Sequence, residues 1–531
     1  MREVTANLRW EEPANGAAAS ASREWPREAG RLESNLAATL KREWLFFGLL
    51  AAYGAIFLGF YPPSFGIGDE SEILRLAYTL AHGTIHPDVA GVLTHPDELE
   101  FLVGGHWIVK FSPFNAALYV PALALYWKAA FLVPAAFFVV GALTLRSMLK
   151  REGLASEWAL VYFLLPGMLY YASTLKESVG AAVMGLIGVA MLGRERPRAI
   201  LGGLSMGAAV LLHPWMAAMV LPYAAVWWWE QGARNRLRYG GLLALGAAPA
   251  IVALATYDRI AFGSSFVIGY VAHGEAFSFN GAHFSQYLPF YIASLGIFPI
   301  VGWAAFSPRW SKGWATPAAA AAVVLVASLY NYRDGITTGL SGPGWFIAAA
   351  VPGQRFLLPV SLIACLPASR WLDAHLGASG FRWTRQKAGV ALVIFVAGYT
   401  LLSALHQNFL RANAIVQRSI AAAVPERAVL VGNDEVLKQL APVYRIVDFR
   451  PGDLDELLAS RIPDAYVAWF VAPGETPPAI LFAGRRTEIV RARSFAWNRD
   501  LWIGIPADQT PRKERHLPSE IGEATDANSV R

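Results

Sequence analysis

A chain with roughly eleven apolar runs, most near the length that crosses a hydrocarbon core as a helix, has few architectures open to it. The runs fall near 44–61, 120–145, 157–173, 177–193, 199–212, 214–229, 239–256, 287–306, 316–331, 353–369 and 388–405. The two that flank His213 divide one Pro-interrupted stretch and are short. Charged residues make up 16% of the 531 and hydrophobic ones 55%, a balance that excludes a soluble globular chain. The fold class expected is mainly α, a polytopic helical membrane protein.

Basic residues give the orientation. Lys41-Arg42, Arg146 to Arg151, Arg194 to Arg198, Arg234 to Arg238, Arg309 to Lys312 and Arg370 to Lys387 occupy alternate connections, which the positive-inside rule assigns to the cytoplasm. The net charge of +6 is therefore a topology signal, and with no basic-aromatic patch it does not point to nucleic acid. The outer connections are then 62–115, 174–176, the turn at His213, 257–286, 332–352 and everything after about 406. Residues 1–43 contain no short apolar core with a cleavage site, so they read as a cytoplasmic segment, with the first span as an uncleaved export signal. Cys365, the single cysteine, lies in an apolar run and reads as core filler.

The polar residues that invite a chemical reading all fall on the outer side. Gly68-Asp69-Glu70 sits just beyond the first span, in the long loop 62–115. Asp69 there suits a general base for a lipid-borne substrate, and equally a cap for the helix of Glu70 to Ala81. Lys176 and Glu177 occupy the tight turn after the third span, near Tyr170 and Tyr171, at a depth where ionisable groups are costly without a partner or a wet cavity. Arg355 opens the tenth span from outside, where the topology rule asks for no cation; it suits a phosphate, or an interfacial anchor. Lys110 carries a similar suspicion, and Tyr332, Arg333 and Asp334 a weaker one. His213 is either a ligand or a helix-end hydrogen bonder. His82, His86, His95 and His106 surround the acidic pair in sequence without a zinc-helix spacing, so a divalent cation is left open. Within the same loop, Asn115 to Leu125 reads as a surface-lying helix feeding the second span.

After the last span the pattern changes to short strands at Val429 to Val431, Arg445 to Phe449, Ala465 to Val471, Thr487 to Arg491 and Trp502 to Ile505. Helices are expected at Asp434 to Leu440 and Asp453 to Ser460. This alternation predicts a small α/β domain outside the membrane over 406–508, followed by a disordered tail, 509–531.

Gly68-Asp69-Glu70 with Leu74, Ala77 and Tyr78 on one helix resembles the acidic motif in the first outer loop of the GT-C glycosyltransferases. The nearest in style are the dolichyl-phosphate-mannose protein mannosyltransferases and the bacterial lipid A aminoarabinose transferases. The resemblance covers 44–405, and it implies inverting transfer of a sugar from a polyprenyl-phosphate donor to a lipid, glycan or protein acceptor. The setting implied is the periplasmic face of a bacterial inner membrane. Asp69 matches the catalytic acid of the family and Glu70 its neighbour. Lys110, in Lys110-Phe111-Ser112-Pro113, matches the basic residue that contacts the carrier phosphate, and Arg355 that of the late Arg-Phe-Leu-Leu-Pro motif. Lys176 joins them as a phosphate-binding candidate, and Glu177, with His213, as an acceptor or metal residue. One departure is that no Arg follows the acidic pair within a turn. Two other readings remain: a transporter or flippase for lipid-linked sugars, which calls for repeat symmetry that is not seen, and an O-antigen ligase or polymerase, which calls for a larger late outer loop than 332–352.

Overall fold

The computed structural model describes residues 43–506 apart from 67, 88, 90–99, 194–196, 266, 273, 275–280, 297, 331–353, 426–427, 433–444, 449–464, 478, 483–484 and 495–496. The principal helices are α1 (Trp44–Gly59), α2 (Gly68–Ala81), α3 (Leu132–Arg151), α4 (Glu177–Leu192), α5 (Ala199–Leu212), α6 (Ala217–Glu230), α7 (Ala233–Phe262), α8 (Ala315–Leu329), α9 (Gln354–Ala378) and α10 (Arg385–Ala423). Four helical stretches, Trp127–Arg151, Ala233–Phe262, Gln354–Ala378 and Arg385–Arg411, have the length and composition to cross a bilayer unaided. Shorter apolar helices, among them α1, α4, α5 and α8, pack between them.

Among the described residues, two of the roughly eleven expected spans are not single straight helices. The expected third span, 157–173, is three pieces, Ser156–Ala159, Leu160–Phe163 and Pro166–Tyr171, because Pro166 has no N–H to offer the preceding turn and holds Leu165 extended. The eighth, 287–306, bends by 114° between Tyr287–Gly296 and Pro299–Ala305, again at a proline. The surface helix expected over Asn115 to Leu125 is two short ones, Pro113–Ala117 and Val120–Leu125, and its far end is open, with Leu125 84% exposed.

Packing follows two devices. Helices α5 and α7 touch backbone to backbone: a Cβ on Gly203 would lie 2.0 Å from the Leu243 carbonyl, and one on Gly246 2.1 Å from that of Ile200, the small-residue contact typical of membrane helices. Elsewhere aromatic rings fill the core. Tyr53 of α1 stacks on Phe138 of α3 at 4.0 Å and on Tyr399 of α10 at 5.4 Å, which joins three helices through one side chain.

The outer loop 62–115 contains a hairpin absent from the sequence expectation, β1 (Glu100–Val103) with β2 (His106–Val109). Its turn is Gly104-Gly105, both at positive φ, as a two-residue connection requires. The C-terminal strands are β3 (Val429–Gly432), β4 (Arg445–Asp448), β5 (Tyr466–Val471), β6 (Arg485–Ser494) and β7 (Trp497–Pro506). They form one sheet in the order β4-β3-β5-β7-β6, parallel across β4, β3 and β5 and antiparallel beyond. Strand β5 is buried on both faces, which explains why Tyr466 to Val471 reads as an unbroken apolar run. Val416 and Ile420 of α10 cover one of those faces, so a boundary at 406 falls inside a continuous helix. The helices expected at 434–440 and 453–460, and the segments 1–42 and 507–531, lie outside the described residues.

Candidate active site

The site assembles where α2 begins. Ahead of it, Pro62-Pro63 keeps the chain extended, and the chain is gripped from α10: the Gln407 amide donates to the carbonyls of Phe60 (2.7 Å) and Tyr61 (2.8 Å), and Asn413 donates to that of Phe65 (2.9 Å). Asp69 and Glu70 then occupy the first turn of α2, where the helix's free N–H groups favour carboxylates.

The two carboxylates differ in their partners. Glu70 accepts from the backbone N–H of Gly66 (2.6 Å) and of Leu175 (2.8 Å), so it fastens the helix start to the 172–176 turn; the Tyr119 hydroxyl donates to the Leu175 carbonyl on the same turn (3.2 Å). That fastening delivers Lys176, whose Nζ donates to Asp69 Oδ2 at 2.8 Å. From the start of α9, the Arg355 Nη2 lies 3.2 Å from the same oxygen and 3.7 Å from Glu177 Oε1, so one guanidinium spans two carboxylates. Glu177 Oε1 also accepts from the Tyr270 hydroxyl (3.2 Å) and faces His213 Nε2 at 3.6 Å. Glu177 Oε2 and His213 Nδ1 are buried with no hydrogen-bond partner among the described residues.

Five of the seven residues singled out from sequence, Asp69, Lys176, Glu177, His213 and Arg355, thus form one connected network. Lys110 is buried beside it, its Nζ 5.6 Å from the Phe111 ring and 5.8 Å from that of Tyr270, and it adds to the positive field at Asp69. The approach is tight: a Cβ on Gly269 would sit 2.2 Å from the Lys110 carbonyl. Glu70 borders the network through its backbone contacts. Tyr171 is buried, and the Tyr170 ring lies 4.8 Å from that of His406. His86 and His106 lie ring to ring at 4.8 Å, and His82 Nδ1 bonds the Tyr78 carbonyl, away from this set. His95 and Tyr332-Arg333-Asp334 lie outside the described residues. Beyond the acidic pair, Arg75 lies six residues past Asp69 and pairs with Glu72 at 3.1 Å, both fully buried.

Burial favours the neutral form of Asp69, but Lys176 and Arg355, with Lys110 behind them, outweigh it and hold the carboxyl well below the usual carboxylate range. Burial, followed by the nearby Arg355, lowers Lys176, while Asp69 works against the fall. Burial lowers His213 to about 4 despite Glu177 beside it, so the imidazole is neutral at pH 7. No three His, Cys, Asp or Glu side chains converge as a metal site among the described residues.

Arg355, Tyr270 and His213 are also the polar rim of a cavity of about 550 Å³ whose remaining walls are apolar, including Trp215, Leu254, Val326 and Phe356. Such a volume and lining suit an amphiphile with its charged end at the ion pairs. Tyr270, the residue that connects cavity and network, lay in the unpatterned 257–286 loop, where nothing in the sequence marked it.

No family model and no curated protein matches the chain. Two solved structures are similar to it: ArnT from Cupriavidus metallidurans in the apo state, at 14% identity and a TM-score of 0.55 over 88% of this chain and 99% of that one, and ArnT from the same organism bound to undecaprenyl phosphate, at 13% identity and a TM-score of 0.55 over 87% and 98%. The chain therefore shares the fold of these two structures, and four of its helical stretches are long and apolar enough to cross a membrane.

Proposed function

We propose that the protein is a membrane glycosyltransferase that moves a sugar from a polyprenyl-phosphate donor to an acceptor hydroxyl on the periplasmic face of the bacterial inner membrane. One observation carries the reading: Asp69 is held between two buried cations, Lys176 and Arg355, and Arg355 also lines an apolar cavity. The similar ArnT from Cupriavidus metallidurans is bound to undecaprenyl phosphate, which supports a donor of that class.

In this reading the cavity takes the isoprenoid chain, and the donor phosphate meets Arg355, Lys176 and Lys110. A general base whose pKa lies far below the working pH is a weak one. The resting pairs therefore describe a base held in check. When the donor phosphate draws Lys176 and Arg355 to itself, Asp69 loses its counter-charges and its basicity rises. Asp69 then takes the proton of the acceptor hydroxyl, the acceptor oxygen bonds to the anomeric carbon, and the carrier phosphate leaves with the electron pair of the broken C–O bond, its charge held by the same cations. One base and one displacement give inversion. Glu177 Oε2 and His213 Nδ1, buried and open, serve to orient the acceptor, and Glu70 positions the helix start. The catalytic region is 44–405, and the small α/β domain assigned to 406–508 stands outside the membrane.

The test is incubation of the purified chain with polyprenyl-monophosphate and polyprenyl-diphosphate sugars, followed by mass spectrometry of released carrier and product. Turnover of monophosphate donors alone is expected. Turnover of diphosphate donors alone, or full activity in Asp69→Asn, would overturn the assignment.

A further inference from the structure

A second polar cavity lies at the opposite end of the bundle. Helix α4 starts at Glu177 in the site described above, and 16 residues later its far end, Val189 to Gly193, borders this other cavity, about 24 Å away at 1.5 Å per residue. The cavity measures about 290 Å³. Its wall carries three cationic side chains, Arg151, Lys312 and Arg370, against two anionic ones, Glu152 and Glu230.

These charges come from four separate segments, Arg151 and Glu152 being neighbours, and are tightly set. Arg370 donates to Glu152 (2.7 Å) and to the Trp310 carbonyl (2.7 Å), and Lys312 pairs with the same Glu152. Arg151 donates to the Ala190 carbonyl at 2.8 Å. Glu230 is drawn aside to the Trp314 N–H at 2.6 Å, and it lies so close to Gly313 that a Cβ there would come within 2.8 Å of its carboxylate. Two donors are left over: Arg370 Nε and Ser311 Oγ are buried without a hydrogen-bond partner among the described residues. Buried donors of this kind are normally satisfied. Beneath them the floor is apolar, with Ile363, Leu366 and Pro367.

We propose that this cavity binds a phosphate group, presented either by an anionic phospholipid headgroup or by a soluble phosphate ester. An excess of cations, a spare guanidinium N–H and a spare hydroxyl match phosphate oxygens. The alternating loop charges place this end on the cytoplasmic side, where basic pockets between membrane helices take anionic headgroups. The inference stands apart from sugar transfer, since it uses no residue of the Asp69 network.

The experiment uses the full chain in detergent, with phosphatidylglycerol, diacylglycerol, inorganic phosphate and glycerol 3-phosphate as probes. Bound lipid is read by native mass spectrometry and melting temperature by fluorescence. Arg370→Gln removes the spare donor, while Ser311→Phe plugs the cavity with every charge in place and remains informative if the first variant folds poorly. Phosphatidylglycerol retained over diacylglycerol, with each variant losing about tenfold in retention, supports the headgroup form. Displacement of phosphatidylglycerol by either soluble phosphate, or a rise in melting temperature with them that the variants lack, supports the soluble form. Equal retention of both lipids together with no effect of soluble phosphate, or responses to every probe that both variants leave unchanged, overturns the proposal.

Discussion

The two ends of the helical bundle both gather charge, yet they treat it differently. At the Asp69 end Glu177 and Lys176 are 3% and 6% exposed, Arg355 9% and Asp69 17%, so these charges have given up most of their water. At the other end Lys150 and Lys312 remain 45% and 63% exposed although both reach carboxylates, Glu43 and Glu152. Exposed pairs contribute little to stability, and buried ones are expensive to form and more expensive to break. A fold keeps the buried kind mainly where chemistry needs it. The difference can be broken or sharpened by experiment.

The largest effect is expected for Asp69→Asn: loss of a general base lowers transfer by about 10³-fold, while Lys176 and Arg355 lose their counter-ion. Activity assays with size-exclusion profiles test this, and a fully active variant ends the contrast. Arg355→Lys comes next. A shorter side chain ending in an ammonium lacks the planar fork that meets a phosphate with two parallel N–H groups, so kcat/KM should fall roughly 10- to 100-fold with melting nearly unchanged. Glu70→Gln should reverse that pattern, lowering stability by about 1–3 kcal/mol through its contacts to Gly66 and Leu175, with a smaller loss of turnover; a variant of wild-type stability and no turnover would make Glu70 catalytic.

The pH profiles carry a subtler expectation. In the free protein Asp69 stays ionised as pH falls through the ordinary carboxylate range, so kcat/KM for the donor should stay flat from pH 8 to pH 5. With donor bound and the cations diverted, the acid limb of kcat should move up toward the ordinary value near ~4. Coincident limbs would contradict the release of Asp69 by the donor. The smallest change is expected for Lys150→Ala, whose exposed contact to Glu43 is worth about 0–1 kcal/mol; a large drop in melting temperature there would erase the distinction between the ends.

Much of the Asp69 end could be read in the sequence because the physics there is local. An ionisable residue beside a long apolar run is an anomaly wherever the run folds, and Asp69, Lys176, Glu177 and Arg355 each stood out in that way. The strands of the sheet were equally visible, since β5 is apolar throughout and β3 is a short run of Val and Leu. Tyr270 was not visible, because its role depends on a contact 93 residues away. The sequence did contain the marks of the broken spans, in Pro166 and Pro299, and of the hairpin turn, in Gly104-Gly105. A hydropathy ruler averages over such marks and reports one straight rod. The opposite cavity was hidden for another reason: Arg151, Lys312 and Arg370 were fully explained by topology, and only their convergence gives them a second meaning.

The 39 residues of α10 extend about 58 Å, nearly twice the thickness of a hydrocarbon core. With no hinge between its foot in the bilayer and its head under the sheet, the helix behaves as a mast. A tilt of this helix would tug, through Gln407 and Asn413, on the stretch of chain that leads to Asp69.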